Sequence, residues 1–417
     1  MNKLKNFKDV VDWGLCSGCG ACLSIRDGHA PDHMQETVDG LRPLFNSHRK
    51  GNAAELSMCP GYRVATKEKT EHTTSKEYNV AFLEHPLIGR FNHIFNGYAG
   101  DPVIRYRGSS GGVLTALSLY CLDNGIADYV VHTGSSPTLP WRNITRFSKN
   151  RNDLLQNTGS RYVTSSPCEA LKVIEQDNKK YIFIGKPCDI SAVRTAIESR
   201  PVLSERILIL LTFFCAGTPS TLGTKNLISD LGVVPEKIKS IQYRGCGWPG
   251  RFLVTTSNEE EYSRSYEQSW GYLQHFRPLR CYLCADGLGE LGDISCGDAW
   301  DLFSKQTTGI SYLLTRTAIG VELLESAQDA GYVILETSDA DHVISAQPGL
   351  INRKKAMYGR LLARKLLGIP TIEYSGFRLK SIWRTVQLKE KIRIVAGTLK
   401  RILLRGYWHR RPPQILS

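Results

Sequence analysis

The cysteine spacing near the N-terminus most strongly constrains what this chain can fold into. The chain has 417 residues and twelve cysteines. Cys16, Cys19 and Cys22 form a C-x2-C-x2-C run, and Cys59 is followed by Pro60. Three cysteines of such a run, together with the cysteine of a Cys-Pro pair, are a common ligand set for a four-iron cluster. The pattern therefore predicts one 4Fe–4S cluster bound by these four thiolates.

The same pattern is what remains when a two-cluster ferredoxin loses one of its sites. In such proteins each cluster takes three cysteines from one run and the Cys-Pro cysteine from the other. Here Arg26 stands where the first run would carry its own Cys-Pro, so one ligand set is complete and the other is gone. Gly18 and Gly20 let the backbone wrap closely and point its N–H groups at the cluster sulfurs.

Buried thiols, disulfides and zinc are the competing interpretations of these cysteines. Disulfides need an oxidising compartment, and the N-terminal sequence has neither an apolar signal region nor a small-residue cleavage site. Zinc also uses C-x2-C spacing. The third cysteine at the same spacing and the Cys-Pro pair favour iron and sulfur over zinc.

The net charge of +13 is concentrated at the C-terminal end of the chain. From Arg353 to Arg411 there are seventeen Lys or Arg residues and two acids, Glu373 and Glu390. This segment carries +15, which leaves −2 for the rest. Hydrophobic residues make up 41% and charged residues 22%, as in an ordinary soluble protein, and no apolar run reaches the ~18 residues of a membrane span. We expect a cytoplasmic location.

The order of segments predicts an α/β (α+β) fold with four parts. Residues 1–66 are expected to form a ferredoxin-like cluster unit, 67–88 a linker, 89–350 a mixed-sheet domain and 351–417 a basic helical tail. Alternation of strand-like and helix-like segments supports the domain. The strand predictions are 129–133, 181–184 and 207–214, and the helix predictions are 111–124, 189–199 and a single amphipathic helix over 379–404.

Four further cysteines are candidates for a second cluster. Cys188 and Cys215 each follow a predicted strand, where α/β sheets bind ligands, and Cys281 and Cys284 form another C-x2-C. Together they supply four thiolates. A cysteine at a strand end is more often a small buried hydrophobe, so spacing alone leaves both interpretations open.

The order of motifs resembles the beta-subunit family of coenzyme F420 hydrogenases and dehydrogenases, and the related 7-hydroxymethyl chlorophyll a reductases. The bacterial branch is the expected placement. The resemblance covers roughly residues 10–350, and its last motif is the most specific. The matching stretches are RGSSGGVLTAL (107–117), TGSRYVTS (158–165), GKPCDISAVR (185–194), FFCAG (213–217), YRGCGWPGRF (243–252) and RCYLCADGLGELGDISCGDAW (280–300).

This resemblance implies a flavoprotein oxidoreductase with FAD and two 4Fe–4S clusters. It assigns the second cluster to Cys188, Cys215, Cys281 and Cys284, with Cys296 as the first substitute should one be wrong. The flavin-contacting residues would come from two loops. They are Arg107, Ser109, Ser110, Gly111 and Gly112 in the first loop, and Gly159, Ser160, Arg161 and Tyr162 in the second.

Local chemistry supports the first loop independently. Its serines and glycines precede an apolar helical run, where a helix N-terminus favours a phosphate and glycine permits close approach. Arg107 can pair with a phosphate or a flavin carbonyl. A helix cap with a flexible turn explains SSGG equally well. Cys246 and Cys296 depart from the family pattern and are interpreted as non-ligands, and Cys121 and Cys168 as structural.

Two redox functions follow from these expectations. The first is an enzyme that moves electrons between a soluble carrier, ferredoxin or reduced deazaflavin, and an organic substrate at FAD. The second is an electron-relay subunit of a larger complex without its own substrate. A zinc-binding protein without redox chemistry is the third alternative. The YRGxGWPG version of the motif suggests polysaccharide biosynthesis, but no residue identifies the substrate.

The basic tail predicts a contact of its own. A basic amphipathic helix ending in Tyr407 and Trp408 can lie on an anionic membrane at the inner face or against a partner protein. Packing of its apolar stripe onto the body is the alternative. Nucleic acid is the least favoured partner, because the body offers no basic platform or RNA-binding motif.

Overall fold

The computed structural model describes residues 4–25, 33–45, 55–66, 81–304 and 308–416. Arg26 and most of the expected linker lie outside these residues. An eight-stranded mixed sheet forms the centre of the molecule, in the order β16-β6-β15-β14-β10-β9-β7-β8. Its strands are β6 (Ile94–Ala99), β7 (Tyr129–Ser135), β8 (Asn143–Ser148), β9 (Tyr181–Gly185), β10 (Ile207–Phe213), β14 (Ile294–Asp298), β15 (Ser311–Thr315) and β16 (Val333–Thr337).

The four central strands, β14, β10, β9 and β7, are parallel, and the outer pairings are antiparallel. The mixed α/β architecture predicted from the sequence is thus confirmed. The smaller strands are β1 (His33–Thr37), β2 (Gly40–Leu44), β3 (Arg63–Ala65), β4 (Leu83–His85), β5 (Gly89–Phe91), β11 (Ile238–Gln242), β12 (Arg251–Thr256), β13 (Glu261–Ser265) and β17 (Glu373–Ser375).

Helices cover both faces of the central sheet. The helices before residue 340 are α1 (Phe7–Asp12), α2 (Pro102–Arg107), α3 (Val113–Asp123), α4 (Arg151–Gln156), α5 (Leu171–Ile174), α6 (Pro187–Ser199), α7 (Pro201–Arg206), α8 (Thr221–Asp230), α9 (Tyr266–Leu273), α10 (Leu279–Tyr282) and α11 (Ala318–Asp329). Side chains alternate along the central strands. Ile209 and Leu211 of β10 pack with α3 and α11, whereas Leu210 packs on the opposite face with α6 and α7.

The C-terminal segment packs on the body. It forms α12 (Ala340–Ala346), α13 (Pro348–Leu366), α14 (Leu379–Thr385) and α15 (Leu388–Leu404). Met357 and Leu361 of α13 share a buried core with Phe7, Leu15 and Leu56 of the N-terminal unit. The N-terminal unit therefore contacts residues from both the body and the tail.

The single helix predicted over 379–404 is wrong in one respect, because the structure has two helices there. Val386 and Gln387 take extended backbone angles between α14 and α15. The apolar spacing continues across the break, so periodicity alone did not reveal it. Within the described residues, no helix is both long and apolar enough to cross a membrane.

Candidate redox site

The four N-terminal cysteines converge on one small cavity. Cys16, Cys19, Cys22 and Cys59 all contribute to its wall, with Pro60 beside them. Burial, together with the closeness of the other three sulfurs, raises the pKa of the Cys22 thiol well above its ordinary value. Thiolates grouped in this way need a positive counter-charge to be stable, which an iron–sulfur cluster supplies.

Backbone geometry around this group requires glycine. Gly18 and Gly20 have φ values of 74° and 83°, in the left-handed region that glycine adopts most readily. A Cβ atom on Gly18 would lie 2.7 Å from the Leu41 carbonyl oxygen. The Gly18 N–H donates to the Cys16 sulfur at 3.3 Å. The loop thus points a backbone donor at a predicted ligand.

The second predicted set of cysteines also assembles, at the carboxyl ends of β9 and β10. Cys188 lies in the first turn of α6, Cys215 follows β10, and Cys281 and Cys284 lie at and just beyond α10. Burial and the nearby sulfurs of Cys281 and Cys284 raise the pKa of Cys215 to about 12. Burial raises the pKa of Cys188 as well, and the nearby Cys215 sulfur adds to this increase. Cys215 is therefore a neighbour of the other three sulfurs.

Arg280 lies between the two cysteine groups. Its side chain is buried, and Nη2 donates to the carbonyl oxygen of Pro60 at 2.9 Å. Its positive charge favours the thiolate form of Cys16 in the first group and of Cys188 in the second. The two groups are thus close enough to share one buried cation.

The remaining cysteines have other environments. Cys246 is exposed, and Cys121 and Cys296 lie in the hydrophobic core, with Cys296 also reaching the wall of a large cavity. Cys168 is buried beside Cys19, and the backbone N–H of Cys168 donates to the Cys19 carbonyl oxygen at 3.0 Å. A hydrogen bond with Cys168 lowers the pKa of Cys19. Among the described residues, no group of three or more His, Cys, Asp or Glu side chains has the geometry to hold one metal ion.

A cavity of about 930 Å³ opens beside the second cysteine group. Both predicted flavin loops contribute to it. The predicted residues in its wall are Ser109, Ser110, Gly112, Gly159, Ser160, Arg161 and Tyr162. Cys215 is part of the same wall, so a molecule bound in the cavity would lie next to the second cysteine group.

Two predicted flavin residues lie outside the cavity wall. Arg107 is exposed and donates to the carbonyl oxygen of Leu155 at 3.4 Å. Gly111 packs against the sheet, where a Cβ atom would come 2.5 Å from the Gly97 carbonyl oxygen. Gly111 therefore allows the loop to approach the sheet closely.

The two loops are joined to each other and to the sheet by serine hydroxyls. The Ser160 N–H donates to the Ser109 hydroxyl at 2.5 Å. Ser110 donates to the Ile310 carbonyl oxygen at 2.7 Å and accepts from Ser311 at 2.9 Å. Arg161 is occupied by protein acceptors, among them the Ile241 carbonyl oxygen at 3.1 Å. These bonds give the loop end of the cavity a fixed shape.

Sequence reasoning missed a buried ion pair in the cavity wall. Lys186 Nζ lies 2.7 Å from Asp189 Oδ2 and 3.1 Å from the Ser165 hydroxyl. The other carboxylate oxygen, Asp189 Oδ1, is buried without a hydrogen-bond partner among the described residues. Asp189 thus belongs to the cavity wall with one of its carboxylate oxygens unpaired. The GKPCD motif contains the pair, but sequence spacing predicts a role only for its cysteine.

A second missed pair belongs to the YRGCGWPG motif. Arg244 forms a two-pronged ion pair with Asp298, at 2.9 and 2.7 Å, and Trp248 donates to the same carboxylate at 2.9 Å. The Arg244 guanidinium also lies over the rings of Tyr266 and Trp300. Two motifs that are separate in sequence, at 243–252 and 280–300, are thereby joined at the cavity.

Comparison with known proteins identifies matching families over most of the body. The family described as the N-terminal part of the coenzyme F420 hydrogenase/dehydrogenase beta subunit matches residues 94–173. A companion family, described as the C terminus of the same beta subunit, matches residues 178–341.

Individual relatives are distant but match over long stretches. The coenzyme F420-dependent sulfite reductase of Methanocaldococcus jannaschii is 23% identical over 336 residues, which cover 77% of this chain and 47% of the reductase. The coenzyme F420 hydrogenase subunit beta of Methanothermobacter thermautotrophicus is 26% identical over 299 residues, which cover 68% of this chain and 99% of that subunit.

Similarity to a solved structure supports the fold. That structure is a chain of the F420-reducing NiFe hydrogenase complex from Methanosarcina barkeri, with a TM-score of 0.54 and 21% identity. The similarity covers 68% of this chain and 96% of the hydrogenase chain.

His132 should make stability depend on pH. The ring is buried, with Nε2 2.7 Å from the Ser148 hydroxyl, and burial lowers its pKa to about 4. An unfolded histidine has a pKa near 6.5, so the unfolded chain binds this proton first as the pH falls. Stability from the neutral ring is complete above about pH 6.5 and is lost as pH falls toward 4. Between pH 7 and 5 we expect a loss of about 2 kcal/mol from this group.

Urea unfolding of wild type and His132→Gln at both pH values measures this contribution. The variant should lose about 2 kcal/mol less than wild type between pH 7 and 5. His275→Gln, which removes an exposed imidazole, is the control and should keep the wild-type difference. An identical pH difference in wild type and His132→Gln would show that the buried ring does not carry the effect.

Proposed function

Because the chain belongs to the coenzyme F420 hydrogenase/dehydrogenase beta-subunit family, we propose that it is an electron-transfer subunit of an oxidoreductase complex. The observation that carries the proposal is the continuous arrangement of the two cysteine groups, the shared Arg280 and the large cavity. Relatives named as hydrogenase and formate dehydrogenase beta subunits fit such a role. A partner protein would then hold the other half-reaction.

Two 4Fe–4S clusters and FAD are the proposed cofactors. Cys16, Cys19, Cys22 and Cys59 would hold the first cluster, and the cysteines at 188, 215, 281 and 284 the second. The cavity has a volume suited to a ligand of this size, with Asp189 and the glycine loop in its wall. A flavin exchanges hydride with organic molecules and single electrons with clusters, which links the two kinds of chemistry.

The chain's own residues would orient and tune these groups. Gly18 directs an N–H group at a first-cluster sulfur, and Cys168 adds a hydrogen bond to Cys19. Lys186 places a buried positive charge at the cavity wall, where it would favour negative charge on a bound redox group. The soluble electron carrier would be a reduced deazaflavin or ferredoxin.

An enzyme acting alone on an organic substrate is the second candidate. The size of the cavity favours this function, since a volume of about 930 Å³ leaves room for a substrate beyond a ligand bound at the serine–glycine loop end. Anaerobic purification of the full chain separates these functions. We expect a broad absorbance near ~400 nm from clusters with flavin bands superimposed. Turnover of a reduced dye only when a partner complex is present supports the relay, and turnover by the isolated chain supports the enzyme.

The iron content of cysteine variants tests the ligand assignment. Cys59→Ser and Cys284→Ala should each lose one cluster, about four iron atoms per chain, because an open corner exposes the cluster to solvent and oxygen. Cys246→Ala, at an exposed thiol outside both groups, is the matched control and should keep all iron. Equal iron loss in Cys284→Ala and Cys246→Ala would mean that the second ligand set is wrong.

We also propose that the outer face of α15 contacts an anionic membrane. Leu388, Ile392 and Leu403 lie on one side of the helix and are 61% to 73% exposed. Exposed Lys389 and Lys400 flank this stripe. An apolar stripe beside basic residues matches an anionic lipid surface, where each cation contributes about 1 kcal/mol. The neighbouring Trp408 is also exposed.

Flotation with phosphatidylserine-containing vesicles tests the membrane contact. The full chain should float at low salt, and Ile392→Glu/Leu403→Glu should remain at the bottom. Val173→Glu/Val234→Glu changes two exposed apolar residues elsewhere and should float like wild type. If wild type fails to float, the outer face of α15 does not bind membranes of this composition.

A further inference from the structure

The end of the large cavity away from the serine–glycine loop is formed by the C-terminal helices. Residues from α13 and α15 line it, together with the segment around α10. Four arginines contribute to this part of the wall. They are Arg277, Arg353, Arg360 and Arg401. The last three lie beyond residue 341, where the family match ends. Three of the four arginines therefore come from the C-terminal segment and not from the matched region.

Backbone carbonyls and an aromatic ring hold these arginines in place. Arg353 donates to the Cys215 carbonyl oxygen at 2.6 Å and to that of Ala216 at 3.0 Å. Arg360 donates to the Tyr282 carbonyl oxygen at 2.7 Å, and Arg401 lies 5.7 Å from the centre of the Tyr282 ring. Arg277 donates to Ala216 at 2.8 Å. Carbonyl oxygens fix a guanidinium but do not neutralise its charge.

Acids in the cavity wall do not balance this group. Among the described residues three acids line the cavity, and each is paired with a different cation: Asp189 with Lys186, Asp298 with Arg244, and Glu390 with Arg393. Across the described ranges of the chain, none of the four arginines forms an ion pair with a carboxylate. Their charges therefore remain uncompensated by this part of the protein.

Keeping these charges together has an energetic cost. Burial, followed by the charges of Arg401, Arg353 and Arg277, lowers the pKa of Arg360 to about 10. Arg353 is close enough to Cys215 to stabilise its thiolate, which accounts for the charge of one of the four arginines. Arg360 and Arg401 contact Tyr282 instead, and a bound anion is the simplest source of the missing charge.

We propose that these arginines form an anion-binding subsite for a small organic molecule with two or more phosphate or carboxylate groups. The planar guanidinium fork matches both groups in a two-pronged fashion. The molecule's redox-active part would extend along the cavity toward the serine–glycine loop. This inference rests on the proposed function, because it takes the bound anion to be the carrier or substrate that meets the flavin and specifies its chemical class.

Calorimetric titration of the full chain with inorganic pyrophosphate, and separately with citrate, tests the subsite at constant ionic strength. We expect saturable binding at one site per chain, and the tighter probe identifies the preferred anion as phosphate or carboxylate. Arg360→Gln/Arg401→Gln should weaken binding at least tenfold, since each charge-assisted bond contributes about that factor. If the double variant folds poorly, Arg401→Gln alone, a change on the surface helix, replaces it in the test. This single variant should weaken binding of the probe severalfold.

Lys365→Gln/Lys380→Gln is the matched control, since it removes two exposed charges from the neighbouring helices α13 and α14 outside the cavity. It should bind the probes like wild type. Equal weakening in both double variants, or no saturable binding by wild type, overturns the subsite. Loss of flavin from a folded Arg360→Gln/Arg401→Gln also overturns it, because the arginines would then hold the flavin phosphates. Anion binding by a chain that lacks flavin and iron would instead refute the proposed function and leave the subsite standing.

Discussion

The buried guanidinium of Arg280 is the interaction on which the arrangement of both cysteine groups depends. A charge removed from water is stable only when opposite charges and acceptors surround it. Burial opposes the charged form of Arg280, but Tyr374 and the thiols of Cys284 and Cys188 raise its pKa. Nε of Arg280 is buried and has no hydrogen-bond partner within the described residues. The cation and the thiolates therefore stabilise one another.

This mutual dependence joins parts of the chain that are far apart in sequence. Pro60, which accepts the Arg280 hydrogen bond, follows directly after Cys59, so the cation links the N-terminal unit to α10. Nearby, Lys354 of α13 forms a buried ion pair with Glu290 of the body. Breaking the Lys354–Glu290 pair by removing one partner would leave an uncompensated buried charge, which typically costs about 3–5 kcal/mol. The N-terminal unit, the body and α13 are thus held together by charge as well as by their shared core.

Features encoded by local spacing could be predicted from the sequence. Strand β10 covers 207–213 against the predicted 207–214, and the four N-terminal cysteines line one small cavity. Contacts between distant residues could not be predicted in this way. Asp298 pairs with Arg244, and Arg401 meets Arg360, only because the sheet and α13 bring them together. Local sequence carries no record of such proximity.

Net charge shows the same limitation in the C-terminal segment. The +15 of residues 353–411 indicates one basic surface, yet α15 divides its residues among three environments. Thr398 and Ile402 are buried against α13, Arg401 and Gly397 line the cavity, and Leu388 faces solvent. A single helix can serve all three because about 100° of rotation separates successive residues. Charges that a count treats as equal therefore have different physical roles, some lining the large cavity and others lying beside an exposed apolar stripe. The position of each charge, set by helix packing rather than by composition, determines which molecule it can meet.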